Sequence, residues 1–155
     1  MSRNVLPVLS LFAEYGGLLD AGRYEDWLGL FAPECRYTVM PRENHEAGLP
    51  VALIFCDSHA MLADRIQALR EANKYNIHSD RHVIGVPRFR AEQSDGIEAE
   101  APFAVYQTDQ EGETRLFATG LYRFRLTGTA PALRIADAFV LLDTAAIPTL
   151  LATPV

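Results

Sequence analysis

The first part of the chain carries its apolar residues at helical spacing, and the part beyond residue 80 carries them at every second position. Residues 5–20 place Val8, Leu11, Phe12, Tyr15, Leu18 and Leu19 along one side of a helix. Gly16 and Gly17 each weaken an exposed helix by about 1 kcal/mol, so either neighbouring packing offsets them or another backbone approaches closely. "RYEDWLGLFAPE" predicts a short second helix with Trp27, Leu30 and Phe31 on one side and Pro33 as its stop. "CRYTVM" alternates as a strand does, "PRENHEAGLP" reads as a polar loop, and "VALIFCD" as a short buried strand. Asp57 or Ser58 can cap a third helix, whose apolar stripe is Leu62, Ile66 and Leu69 and which runs to about Asn76.

Then the period changes to two. "RHVIGVPRFRAE", "GIEAEAPFAVYQTD", "ETRLFATGLYRFRLTG" and "ALRIADAFVLLDT" predict long strands separated by short turns rich in Gly, Asp and Pro. In the third, Leu116, Ala118, Gly120, Tyr122, Phe124 and Leu126 point one way, and Arg115, Thr119, Arg123 and Arg125 the other. Helices first and long antiparallel strands after define an α+β fold in which the helices cover one face of a bent sheet. At 155 residues the chain is expected to form one domain, 1–155.

Charge removes several functions. With 20 acidic residues against 14 basic, a net charge of -6 and Lys74 as its lone lysine, the chain offers no basic patch for a nucleic acid. No apolar run approaches the roughly 20 residues that span a bilayer. Cys35 and Cys56 form no metal spacing and no disulfide framework, which makes a reducing cytoplasm the expected location.

The stretch "HSDRH" holds His78, Asp80 and His82, the residue types of a two-histidine, one-carboxylate iron site. Histidines four apart converge only on a helix, and this helix ends before His78. The stretch therefore reads as a helix exit into a strand. His45 and His59 read as loop and first-turn residues. A Rieske centre needs two cysteines and two histidines, and Cys35 has no histidine beside it at the required spacing. Gly-rich phosphate loops and the GxSxG elbow are absent. What remains is cofactor-free acid/base work in an apolar pocket, using some of Tyr37, Asp57, His82 and Asp137. Asp137 shares a strand face with Leu133, Ile135, Phe139 and Leu141 by simple alternation, and the expectation is that it pairs with an arginine on the next strand. Arg65, Arg70, Tyr75, Arg81 and His82, with Arg88 and Arg90 beyond them, concentrate Arg and Tyr in an acidic chain and make a candidate subunit interface.

"MLADRIQALREANKYNIHSDRHVIGVPR", preceded by "LFAPECRYTVMPRENHEAGLP" and followed by "LLDTAAIPTLLATPV", resembles the small (beta) subunit of bacterial aromatic-ring-hydroxylating dioxygenases. The strongest elements are the "DR(x)3LREAN(x)Y" helix and the "RH(x)2G(x)P" strand start, with "YGGLLDAGRYEDWLGLFAPECRY" fitting the helix pair and first strand. "ENHEAGLP" and "LREAN" look closest to the branch acting on aromatic acids, the terephthalate, salicylate and anthranilate systems. The resemblance implies a cone of the nuclear-transport-factor and scytalone-dehydratase type, with no catalytic, cofactor or metal residue of its own. It implies that the Rieske [2Fe-2S] cluster and mononuclear iron sit in a catalytic alpha subunit, commonly in an α3β3 hexamer fed with NAD(P)H-derived electrons by a reductase or ferredoxin. The alternative is a stand-alone, cofactor-free isomerase or dehydratase of the same cone, since one fold hosts both.

Overall fold

The computed structural model of the chain describes residues 4–72, 77–147 and 153–155. Its helices are α1 (Val5–Asp20), α2 (Tyr24–Leu28), α3 (Arg42–Glu46) and α4 (His59–Ala72). Its strands are β1 (Phe31–Pro41), β2 (Ile54–Cys56), β3 (Ser79–Ile84), β4 (Arg88–Gln93), β5 (Gly96–Thr108), β6 (Thr114–Thr127) and β7 (Arg134–Leu142). They form one sheet in the order β2-β1-β7-β6-β5-β3, with β4 also on β5. Every pairing is antiparallel except β1 with β7.

The helical stripe of α1 lies on the inner face of this sheet, with Val8, Leu11, Phe12, Tyr15 and Leu19 buried. Phe12 stacks on Phe124 of β6 at 4.6 Å between ring centroids. Gly16 is where α1 comes closest to the sheet: a Cβ there would lie 2.8 Å from Ile84 Cδ1 and 3.1 Å from His82 Cβ, both on β3. Gly17 has open space around it. α4 turns Leu62, Ile66 and Leu69 inward, and Ser58 caps it by accepting the Met61 N–H.

Several elements differ from the sequence reading. α2 stops at Gly29, and Pro33 ends no helix; it lies inside β1, in an irregular stretch where Phe31 pairs with Ile135 and Arg36 with Asp137. A proline is tolerated at such a place because no ladder bond needs its missing N–H. The polar loop contains α3, and β2 exposes Phe55. "RHVIGVPRFRAE" forms two strands: the Gly85 N–H still bonds the Pro102 carbonyl in the β3–β5 register at 2.8 Å, but Pro102 has no N–H to return and the ladder ends there. A Cβ at Gly85 would sit 2.7 Å from Pro102 Cγ, so this close crossing needs glycine.

Two β-bulges alter which residues face inward. In β6, Val105 pairs with Ala118 and Tyr106 with Leu116, which leaves Phe117 as the extra residue; Phe117 is buried and Leu116 exposed. In β7, Arg125 pairs with Asp137 and Leu126 with Ile135, which leaves Ala136 extra. Ile135, Ala138, Val140 and Leu142 therefore face the core, and Asp137 lies on the outer face with Phe139. Simple alternation had placed Asp137 beside Ile135.

Candidate functional site

β3 carries His82, and His78 immediately precedes the strand. At a rise of ~3.3 Å per residue, Ser79 and His82 already stand roughly 10 Å apart along the strand, so the two histidines do not converge as they would on a helix. His78 Nε2 lies 3.3 Å from Asp80 Oδ1 and 3.4 Å from Gln107 Nε2. Among the described residues no group of three or more His, Cys, Asp or Glu could hold a metal ion. Cys35 and Cys56 are free, buried strand residues, and burial raises both thiols above their ordinary range.

His82 joins α1 to β3. Its ring Nδ1 is 2.6 Å from Asp20 Oδ1, and its backbone N–H donates to both Asp20 oxygens at 3.0 Å. The His82 side chain is 1% exposed and that of Asp20 9%. With Nδ1–H donating to the carboxylate, Nε2 is the free ring nitrogen, and it has no partner among the described residues. Asp20 and His82 are 62 positions apart, and an aspartate at a helix end gives no local sign of such a pairing.

The five candidate interface residues are not one surface. Arg70 is half-exposed and bridges to Glu25 of α2. Arg81 is 75% exposed, with its guanidinium 3.7 Å from Asp20. His82 is interior. Arg65 is part-buried and acts electrostatically on Tyr37 and Cys56. Tyr75 lies outside the described residues.

The four acid/base candidates do not converge either. Tyr37 is fully buried on the inner side, where burial drives its hydroxyl well above the usual range. Asp57 and Asp137 line a cleft of about 920 Å³ that also includes Arg36, Arg125, Cys35 and Ser58. Asp137 makes no ion pair within 4.0 Å among the described residues, and its Oδ1 has no hydrogen-bond partner. Burial raises its pKa, while the nearby Arg36 and Arg125 guanidinium groups oppose the shift. The expected ion pair is thus replaced by an electrostatic balance with Arg36 and Arg125, onto whose face the bulge at Ala136 turns the carboxylate.

Two features had no signature in the sequence. On the outer face, Glu100 is 8% exposed and meets Arg88 at 2.6 Å, Arg90 at 3.1 Å and Arg123 at 3.7 Å. On the inner face, Tyr15, Tyr37, Tyr122 and Trp27 form a buried aromatic cluster. Burial raises the Tyr15 and Tyr122 hydroxyls well above their ordinary range. Val155 reaches into this cluster: its carbonyl accepts from Tyr15 Oη at 2.6 Å and from Tyr37 Oη at 3.0 Å, and its N–H donates to Tyr37 Oη at 3.0 Å.

A curved, unclosed sheet with helices over its inner face defines the α+β cone class. The beta subunit of the benzoate 1,2-dioxygenase from Burkholderia mallei has this fold, with a TM-score of 0.77 at 13% identity over 92% of each chain. Residues 16–149 match the ring hydroxylating beta subunit family, and the chain belongs to that family. It is 34% identical over 151 residues to the terephthalate 1,2-dioxygenase terminal oxygenase component subunit beta 2 of Comamonas sp, covering 97% of this chain and 98% of that one. It is 37% identical over 141 residues to the anthranilate 1,2-dioxygenase small subunit of Burkholderia cepacia, covering 91% and 88% respectively. A solved beta subunit assigned to an aromatic-ring-hydroxylating dioxygenase of Novosphingobium aromaticivorans superposes with a TM-score of 0.88 at 40% identity, covering 97% of this chain and 96% of that one.

Proposed function

We propose that this chain is, as a single domain, the noncatalytic small subunit of a Rieske-type oxygenase that hydroxylates an aromatic acid with O2 and NAD(P)H-derived electrons. The near-full-length match to small subunits of terephthalate and anthranilate dioxygenases carries the reading. The donor set is compatible with it: Cys35 has no histidine beside it in sequence, and among the described residues no three His, Cys, Asp or Glu gather as a cluster would require. The cluster and the mononuclear iron then belong to the alpha subunit, in an α3β3 assembly in the cytoplasm served by a reductase or ferredoxin. The stand-alone isomerase reading has no support from the site, since Tyr37 and His82 face the interior and Asp57 and Asp137 the outer cleft.

Arg70 and Arg81, with Tyr75 between them in sequence, are the proposed contacts to a neighbouring subunit. Arg65 on α4 would support the Arg70 contact from beneath, and His82 on β3 the Arg81 contact. Leu49, Val51, Leu53 and Phe55, exposed by 51%, 59%, 43% and 52%, add an apolar stripe at the β2 edge that a partner could cover.

Coexpression with the large-subunit gene, followed by size exclusion with light scattering, tests both claims. The chain is expected to copurify in the complex, which hydroxylates an aromatic acid. A large subunit fully active and fully assembled without this chain would sink the reading. Arg81→Ala is expected to weaken assembly by about 2 kcal/mol if the side chain is a desolvated anchor; an effect within ~0 to 1 kcal/mol would make it a solvated surface residue.

A further inference from the structure

Tyr15, Tyr37, Tyr122 and Trp27 are each 0% exposed. Tyr15 stands 5.1 Å from Tyr122 and 5.5 Å from Trp27, and Trp27 stands 5.6 Å from Tyr37, ring centre to ring centre. The cluster therefore gathers three hydroxyls and one indole N–H, all able to donate. The acceptor that reaches them from a distant part of the chain is the Val155 carbonyl, held by Tyr15 and Tyr37. Tyr122 Oη and Trp27 Nε1 have no partner among the described residues. A buried donor left unmatched is unfavourable, so a cluster that holds two of them can take a further acceptor. Arg65 adds positive potential, since its guanidinium acts on Tyr37. Around the donors, Phe12, Phe103 and Phe124 supply apolar walls, with Phe103 stacked on Tyr122 at 4.0 Å.

Donors in excess, a nearby cation and aromatic walls are the recognition chemistry of a small carboxylate on an apolar body. Val155 imitates such a molecule, with a carbonyl oxygen among the hydroxyls and an isopropyl group packed in the core. We propose that this chamber is a binding site for a small aromatic or branched aliphatic carboxylate, and that residues 153–155 occupy it as an internal ligand that keeps it shut. The proposal stands apart from the subunit reading, because it concerns the interior of this chain and not its partners.

Trp27, the chain's single tryptophan, reports on the chamber directly. In a titration with benzoate followed by tryptophan fluorescence, the full chain is expected to show no saturable change. Deleting residues 153–155 is expected to create saturable binding, and adding Tyr15→Phe and Tyr37→Phe to the deletion is expected to weaken it at least tenfold. A folded deletion variant that ignores benzoate overturns the proposal, as does binding that survives the two Tyr→Phe changes undiminished. Should the deletion not fold, the same titration is run on Val155→Gly, which vacates the side-chain position and keeps the backbone. Saturable binding there supports the site, and its absence overturns it.

Discussion

The two faces of the sheet solve different problems with residues that alternate along the same strands. On the inner face, Phe103, Tyr122, Phe124, Ile135 and Val140 are buried beneath α1 and form a dry core. On the outer face, Arg36 stands opposite Asp137, Asp137 opposite Arg125 and Arg125 opposite Glu98 in the strand register, a charged row crossing four strands. Beside it, Glu100 meets three arginines. The inner face gains stability from apolar area removed from water, about 25 cal/mol per Å². The outer face gains little from each exposed ion pair, but a carboxylate sunk among arginines becomes costly to remove. Neighbouring residues on one strand should therefore respond to mutation by different rules.

Phe124→Ala should produce the largest loss, about 3–5 kcal/mol, because it empties a site packed against Phe12, Tyr15 and Tyr122. Urea unfolding of the purified chain measures it. Arg125→Ala, one residue on and paired to the exposed Asp95, should cost under about 1 kcal/mol in the same experiment; comparable losses from the two would erase the contrast. Glu100→Gln should fall between them, at about 2 kcal/mol, since it leaves Arg88, Arg90 and Arg123 facing one another without their shared carboxylate.

Asp137→Asn should have the smallest effect, and its sign should depend on pH. The folded chain raises this carboxyl's pKa, so the fold holds the proton more tightly than the unfolded chain does. Stability is then lost as pH rises through the carboxylate range. The asparagine variant should be as stable as the parent, or slightly more so, at pH 7, and the difference should vanish near pH 3. Urea midpoints at pH 3, 5 and 7 check this, and a variant clearly less stable at pH 7 would show that the ionised form is favoured.

Elements with an uninterrupted period were legible from sequence, and those with an inserted residue were not. The α1 stripe and the Tyr122–Phe124–Leu126 run keep their spacing, and the structure buries them as expected. Simple alternation groups Leu116 with Tyr122 and Asp137 with Ile135, and the structure separates both pairs because a bulge lies between their members and shifts the period by one without leaving a composition signal. "VIGVP" hid a strand break because Gly85 responds to Pro102, which is distant in sequence. The site residues suffered from the same cause. Asp20 with His82, and Val155 with Tyr15 and Tyr37, are brought together only by the closed fold. The family resemblance was readable because it rests on contiguous residues.

Ala136 has a consequence for which kinds of genetic change this chain can survive. A substitution there changes one partly exposed side chain, whereas loss of its codon removes the spacer that separates two phases of β7. The residues on one side of the gap would then exchange positions relative to the sheet, turning either Asp137 toward the aromatic interior or Ile135 toward water. A three-base deletion at this position is therefore a heavier lesion than almost any missense change beside it, and insertions and deletions among homologous genes should avoid the bulge while collecting in the turn that precedes β7.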